Sequence, residues 1–341
     1  RERDASGVFR GVGRDAGAAT PGTLKRVVFA HRHGARTPTS NTDGACDQLG
    51  CGTLTEQGAL MLKSLGEAFR TRYGSILPSS YHARHVKTVS DGSARVIQSA
   101  SAFLTGLYAY NASYQVYPAV ETDATMLMDP LSLGTFKLHI VGVVEKAIVN
   151  VSDEILDRIV NRSDIVAVGK EMKLNDLECD VVPQVCLAKE IDFLEAMKAE
   201  GRLSQFPLGE RLLPKLTDAR RVFYGQLYGG YDLTHNTTFL QDAGWPGNQL
   251  FTAMLDSAKN GPALTEYSGH DTSLIPLYGA MGNFTWAYPD FATAVIFEVH
   301  EGTSETKDGS DLFVKIRVGT CDQYPGTHPY TITEYVASCM S

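Results

Sequence analysis

The chain has no excess of basic residues: 31 Lys+Arg stand against 39 Asp+Glu, a formal net charge of −8 with a pI near 5.6. A nucleic-acid binder ordinarily carries a basic surplus to offset phosphate charge. No nucleic-acid partner is therefore expected, and any anionic ligand must be held by a local cluster working against an acidic surface. A membrane-spanning run is also missing. The longest uncharged stretch, Val96 to Val120, is interrupted by Gln98, Ser99, Ser101, Asn111, Gln115 and Pro118, which makes it a poor span. No two cysteines are spaced as C-x2-C, which argues against a structural zinc site. There are no internal repeats. Hydrophobic residues at 43% and charged residues at 21% exclude a disordered or collagen-like chain. At about 150 residues per domain, the length points to roughly two domains.

The six cysteines fall into three pairs close in sequence: Cys46 and Cys51, Cys179 and Cys186, Cys321 and Cys339. An even count with short-range pairing suggests disulfides and an oxidising compartment, although spacing alone leaves the connectivity open. Five N-x-[ST] tripeptides, at Asn111, Asn150, Asn161, Asn236 and Asn283, add independent support for a glycoprotein that is secreted, displayed at the cell surface, or held in a lysosomal or other lumenal space. The chain starts at Arg1 without an apolar signal region, so a signal peptide is expected to have been removed. A membrane anchor beyond Ser341 stays open.

Residues 1–22 are rich in Gly, Ala and Arg without periodicity and read as a flexible leader. Lys25 to Ala30 is a short apolar run, a buried strand, followed by a polar loop from His31 to Ser40. Thr55 reads as an N-cap, and Leu62, Leu65, Phe69 and Tyr73 recur at helical steps behind it. His85 to Ser90 reads as a strand, and Val96, Ala100, Phe103 and Leu107 mark a second helix. Strand, helix, strand, helix implies a parallel sheet flanked by helices. Residues 121–260 show mostly helical patterns, around 152–172, 186–200, 211–228 and 248–260. Strand patterns return at 263–267, 294–299 and 312–318, with a helix from Thr272 to Met281 between. The expected layout is an α/β domain (23–120 and 261–341) interrupted by a mostly helical insertion (121–260).

The stretch with the most chemical content is Arg32-His33-Gly34-Ala35-Arg36-Thr37-Pro38, just past the end of a strand, where open α/β sheets place ligands. Two arginines bracket a histidine, and Gly34 lets the backbone approach closely. Guanidinium forks suit phosphoryl oxygens and keep their charge at any biological pH. Two fixed cations disfavour the imidazolium, so His33 stays neutral and available as a nucleophile.

R-H-G-x-R-x-P resembles the motif of the histidine phosphatase superfamily, in its acid phosphatase branch. Gly52-Thr-Leu-Thr-Glu-Gln-Gly58 resembles the branch's G-x-L-T-x-x-G segment, Ser90-Asp-Gly-Ser-Ala-Arg95-Val-Ile the segment that supplies a third phosphate-binding arginine, and His270-Asp271 its His-Asp pair. The likeness is strong over about 24–110 and 260–320 and weak across the insertion. It implies a phosphoglycerate mutase-like core with a helical cap. It also implies an acid phosphatase in which His33 forms a covalent phosphohistidine. Arg32, Arg36, Arg95 and His270 would hold the phosphoryl oxygens, and Asp271 would protonate the leaving group and then help activate water. No metal or other cofactor is required, because guanidiniums take the charge role of magnesium. Relatives form homodimers, so a dimer is an expectation from the resemblance alone.

The same residues admit other readings. Arg95 could be a solvated residue at a helix start, His270 a core histidine and Asp271 a helix cap, which would lower its pKa and suit an acid poorly outside acidic conditions. His31 and His33 could form the H-x-H pair of a metal-dependent hydrolase, but Arg32 and Arg36 would repel the cation. A catalytically decayed binding protein is the non-enzymatic reading, against which every expected catalytic position holds a competent residue. A phosphomutase or phytase is the nearer competitor. Thr37 to Leu62 contains no Lys or Arg but does contain Asp43, Asp47 and Glu56, so phosphomonoesters with one phosphate group are the expected substrates and phytate a poor one. His82, His85, His139, His235, His300 and His328 show no motif and read as structural or exposed.

Overall fold

The computed structural model describes residues 22–108, 119–120, 126–127, 159–174, 179, 183–227, 245–281, 288–301, 312–321 and 330–334. The strands are β1 (Thr23–Arg32), β2 (Val86–Ser90), β3 (Ala119–Val120), β4 (Leu264–Gly269), β5 (Ala294–Glu301), β6 (Leu312–Cys321) and β7 (Tyr330–Glu334). The helices are α1 (Glu56–Tyr73), α2 (Ala94–Tyr108), α3 (Arg162–Glu171), α4 (Pro183–Ala199), α5 (Pro207–Leu227), α6 (Trp245–Asn260) and α7 (Asp271–Ala280), with a 3-10 turn at Leu203–Gln205.

One sheet runs in the order β3-β2-β4-β1-β5-β6-β7. From β3 to β1 the pairing is parallel, the sheet expected from the strand-helix alternation. Beyond β1 it turns antiparallel, so the sheet is mixed. β5, β6 and β7 follow one another in the chain, as antiparallel neighbours can, whereas parallel neighbours need crossovers. The two-residue β3 and the C-terminal β7 carried too little pattern to be read from sequence.

β1 is buried on both faces, which is why it reads as a continuous apolar run. Its side chains alternate. Val27 and Phe29 enter a core with Leu62, Leu65, Phe69, Phe103 and Leu107 of α1 and α2. Val28 and Ala30 enter another with Leu250, Met254 and Ala258 of α6 and Leu274 and Leu277 of α7. A third core, with Ile165, Val168, Ile191, Leu194, Leu213 and Leu216, belongs to α3, α4 and α5.

Helix α6 therefore packs on the sheet, although its sequence position grouped it with the insertion, and Leu127 is buried in the same core. Helical periodicity reports that a face is covered and not what covers it. Helices α3, α4 and α5, which share the third core, are called the cap below.

Disulfides join Cys46 to Cys51 and Cys179 to Cys186. The pairing of Cys321 with Cys339 lies outside the described side chains, as do sequons Asn111, Asn150, Asn236 and Asn283 and the leader before Gly22. Asn161 is exposed and sits at the N-cap of α3 without a side-chain capping bond. Among the described residues no helix is long and apolar enough to cross a membrane.

Candidate active site

Because β1, β2 and β4 are parallel and in register, with Arg32 opposite Gly269 and Ser90 opposite Ser268, their C-terminal ends finish on one edge. Arg32 and His33, Asp91 to Arg95, and His270 and Asp271 leave from that edge together. The loop after β1 is clamped to the start of α1. Thr55 N donates to Ala35 O at 3.0 Å and Thr37 N to Thr53 O at 2.9 Å, and Thr55 Oγ1 accepts from Gly58 N at 3.2 Å, the predicted N-cap. Gly34 has no room for a side chain, since a Cβ would lie 2.2 Å from Gly58 O.

His33 is 1% exposed, and its Nδ1 lies 2.8 Å from Gly34 O. A carbonyl only accepts, so Nδ1 carries the hydrogen and Nε2 keeps a free lone pair. Burial, then His270, Arg36, Arg32 and Arg95 in that order, hold the His33 imidazole well below its ordinary pKa. His270 meets the His33 ring edge-on, with centroids 5.4 Å apart. Its Nε2 donates to Asp91 Oδ2 at 2.5 Å, and its Nδ1 sits 3.5 Å from Arg95 Nη2. Burial raises the Asp91 pKa, but the bond from His270 and the Ser93 hydroxyl outweigh it and leave it lowered.

Arg32 donates to Pro289 O at 2.8 Å and lies over the Phe291 ring, 4.2 Å from its centroid. Arg36 reaches Asp192 Oδ1 at 2.6 Å, while Asp192 Oδ2 accepts from Thr39 N and Oγ1. Asp271 Oδ2 is 3.3 Å from Arg32 Nη2 and 3.2 Å from Arg220 Nη2, and it accepts from the Tyr288 hydroxyl. Burial alone would raise the Asp271 pKa, but Arg32 and Arg220 overcome that and hold it far below the usual carboxylate range. Its Oδ1 also takes Thr272 N at 2.9 Å, so it supports the first turn of α7 as well as facing the arginines.

All six expected site residues, Arg32, His33, Arg36, Arg95, His270 and Asp271, converge at this sheet edge. A family model described as "Histidine phosphatase superfamily (branch 2)" matches residues 43–130. Lysosomal acid phosphatase of Bos taurus is 23% identical over 83% of this chain and 68% of its own. Human testicular acid phosphatase is 23% identical over 88% and 73%. The chain is thus similar to branch 2 of the histidine phosphatase superfamily over residues 43–130, and to acid phosphatases along most of its length. Solved structures agree on the fold: Klebsiella sp. ASR1 phytase superposes with a TM-score of 0.69 at 15% identity, covering 92% of this chain and 90% of that one. The apo form of Hafnia alvei phytase gives 0.68 at 16%, covering 93% and 91%.

The candidate site has a second tier that is not apparent in the sequence. Asp192 and Glu195 lie one turn apart on α4, Arg220 comes from α5, and Tyr288 and Phe291 precede β5. Glu195 Oε2 stands 3.2 Å from Arg220 Nη1 and 3.6 Å from Arg32 Nη2. Only Asp91 stood inside a quoted motif; the others occupy positions that look like ordinary polar or aromatic helix and loop residues. The H-x-H metal pair does not form. His31 is fully buried, with Nε2 2.9 Å from Glu266 Oε1, whereas His33 faces His270 and Phe291. Among the other histidines, His82 and His85 are exposed and His300 stacks on Phe313; His139, His235 and His328 lie outside the described residues.

Proposed function

We propose that this acid phosphatase cleaves phosphate monoesters through a phosphohistidine on His33. The observation that carries the reading is the Gly34 carbonyl on Nδ1, which leaves Nε2 bare among three arginines and His270. The Nε2 lone pair attacks phosphorus and the P–O bond to the alcohol breaks. Arg32, Arg36, Arg95 and His270 balance the charge on the phosphoryl oxygens. The leaving alkoxide takes the proton of Asp271. Water then gives a proton to the Asp271 carboxylate and attacks phosphorus; the P–N bond breaks, its electron pair returns to His33 Nε2, and phosphate leaves.

Asp271 must hold a proton for the first step, yet Arg32 and Arg220 favour its ionised form. A bound phosphoryl group claims Arg32 and adds negative charge beside the carboxyl, which raises its proton affinity. Acidic conditions assist, as expected of an enzyme working in a lysosomal or other lumenal space. The paired cysteines and the exposed, uncommitted Asn161 support a secretory route with glycosylation.

The test is hydrolysis of p-nitrophenyl phosphate near pH 5, with and without excess EDTA, for wild type and His33→Ala. EDTA-resistant turnover that disappears in the variant is expected. Turnover that survives in His33→Ala refutes the nucleophile, and loss to EDTA in wild type refutes the metal-free scheme.

A further inference from the structure

Asp271 is the group whose proton the proposed reaction spends, so what surrounds it decides when that proton is available. From β1 and the loop after it come Arg32 and His33, from α2 Arg95, from α4 Glu195, from α5 Arg220, and from the segment before β5 Tyr288. His270 is its chain neighbour. Arg32 is committed to the phosphoryl group once substrate binds. Arg220 is different. Its guanidinium is buried, holds Asp271 through one nitrogen and Glu195 through the other, both at 3.2 Å, and lies over the Tyr288 ring 4.5 Å from its centroid. That planar, three-sided seat suits a guanidinium, which matches carboxylates with paired donors and stacks on aromatic faces. It also keeps a full positive charge on Asp271 whatever Arg32 is doing.

We propose that Arg220, supplied by the cap, is a positioning residue for Asp271 whose charge fixes how readily that carboxyl keeps the proton needed by the leaving group. The inference rests on the proposed role of Asp271. The cation favours the ionised form, so it lowers the pH above which the acid is spent. Removing it moves that limit upward. Alkyl esters, whose alkoxides need a proton, feel the change fully, whereas an aryl ester with a stable phenolate feels it little.

The experiment measures kcat/KM against pH for glycerol 2-phosphate and p-nitrophenyl phosphate in wild type, Arg220→Met, Arg220→Lys and Asp271→Asn. Substrate ionisation is common to all four and cancels in the comparison. In Arg220→Met the falling limb for the alkyl ester should rise by about one pH unit, the lower end of what one close opposite charge does. Relative to the plateau, that is roughly tenfold more activity on the limb. Arg220→Lys, which restores the charge, should return the limb toward wild type. A limb that stays put in Arg220→Met, or one factor lost at every pH for both esters, overturns the inference while leaving Asp271 as the acid. If Asp271→Asn costs both esters equally, the role of Asp271 itself falls, and this inference with it.

Discussion

Glu190 of α4 offers a magnitude that can be worked directly from the structure. Its side chain is fully buried in the cap core. Oε1 lies 3.3 Å from Cys186 Sγ, a disulfide sulfur with no proton to donate, and Oε2 has no partner. Burial, only partly offset by a backbone bond from Gly169, pushes its pKa from an ordinary 4.5 up to about 9. The folded protein thus keeps this carboxyl protonated where the unfolded chain ionises it. The raised folded value means its contribution is fully present below pH 4.5 and is lost progressively as pH rises toward about 9. At pH 7 the accumulated loss is about 3 kcal/mol. Glu190→Gln removes the ionisation while keeping the shape. Its amide adds unsatisfied donors, but that cost is the same at every pH. Urea unfolding followed by circular dichroism at pH 4, 5.5 and 7 should therefore show the variant gaining about 3 kcal/mol on wild type between pH 4 and pH 7. A difference that does not change with pH would refute the reasoning, because a carboxyl ionised in both states gives no such slope.

Gly34→Ala should cost about 1–3 kcal/mol by overpacking against the Gly58 carbonyl and should lower kcat together with the melting temperature; a variant with unchanged melting would show that the loop yields freely. Asp91→Asn weakens a charge-assisted bond to His270 worth roughly 1.5–3 kcal/mol, so kcat/KM for p-nitrophenyl phosphate should fall about tenfold to a hundredfold, and an unchanged value would detach Asp91 from His270's work. The loop between Thr37 and Leu62 offers no cation to further phosphates, and the cavity it forms with α4 is lined by Asp43, Asp47 and Glu200 beside Arg36 and Arg202. Phytate should accordingly be turned over with lower kcat/KM than p-nitrophenyl phosphate, and comparable values would overturn that preference.

The parts of the site legible in the sequence are those written locally. Arg32, His33 and Arg36 sit in one seven-residue motif behind a strand, Thr55 announces its own helix, and His270-Asp271 stands at a strand-to-helix turn. Parallel pairing of β1, β2 and β4 then brings these distant segments to one edge, as the strand-helix alternation implied. Asp192, Glu195 and Arg220 were not legible, because each acquires its meaning only when α4 and α5 close over the sheet edge. On a helical wheel they are polar residues like any others. For the same reason the packing of α6 on the sheet is not legible: its apolar stripe fits either core equally well until the partner is known. The two longer strands of the antiparallel half are legible in the sequence but their direction is not, since pairing direction depends on connections that propensity does not encode.

The cap's charges suggest how such an enzyme can be retuned. The proposed reacting groups are carried by the sheet edge, while Asp192, Glu195 and Arg220, which hold Arg36, Arg32 and Asp271, are carried by helices α4 and α5. In the proposed mechanism, the reacting groups and the charges that set their ionisation thus lie in different segments of the chain. Substitutions confined to 186–221 can shift the working pH or the grip on phosphate while the R-H-G-A-R-T-P loop stays untouched. A library built on those two helices would explore acidity of action as a trait separable from the reaction itself.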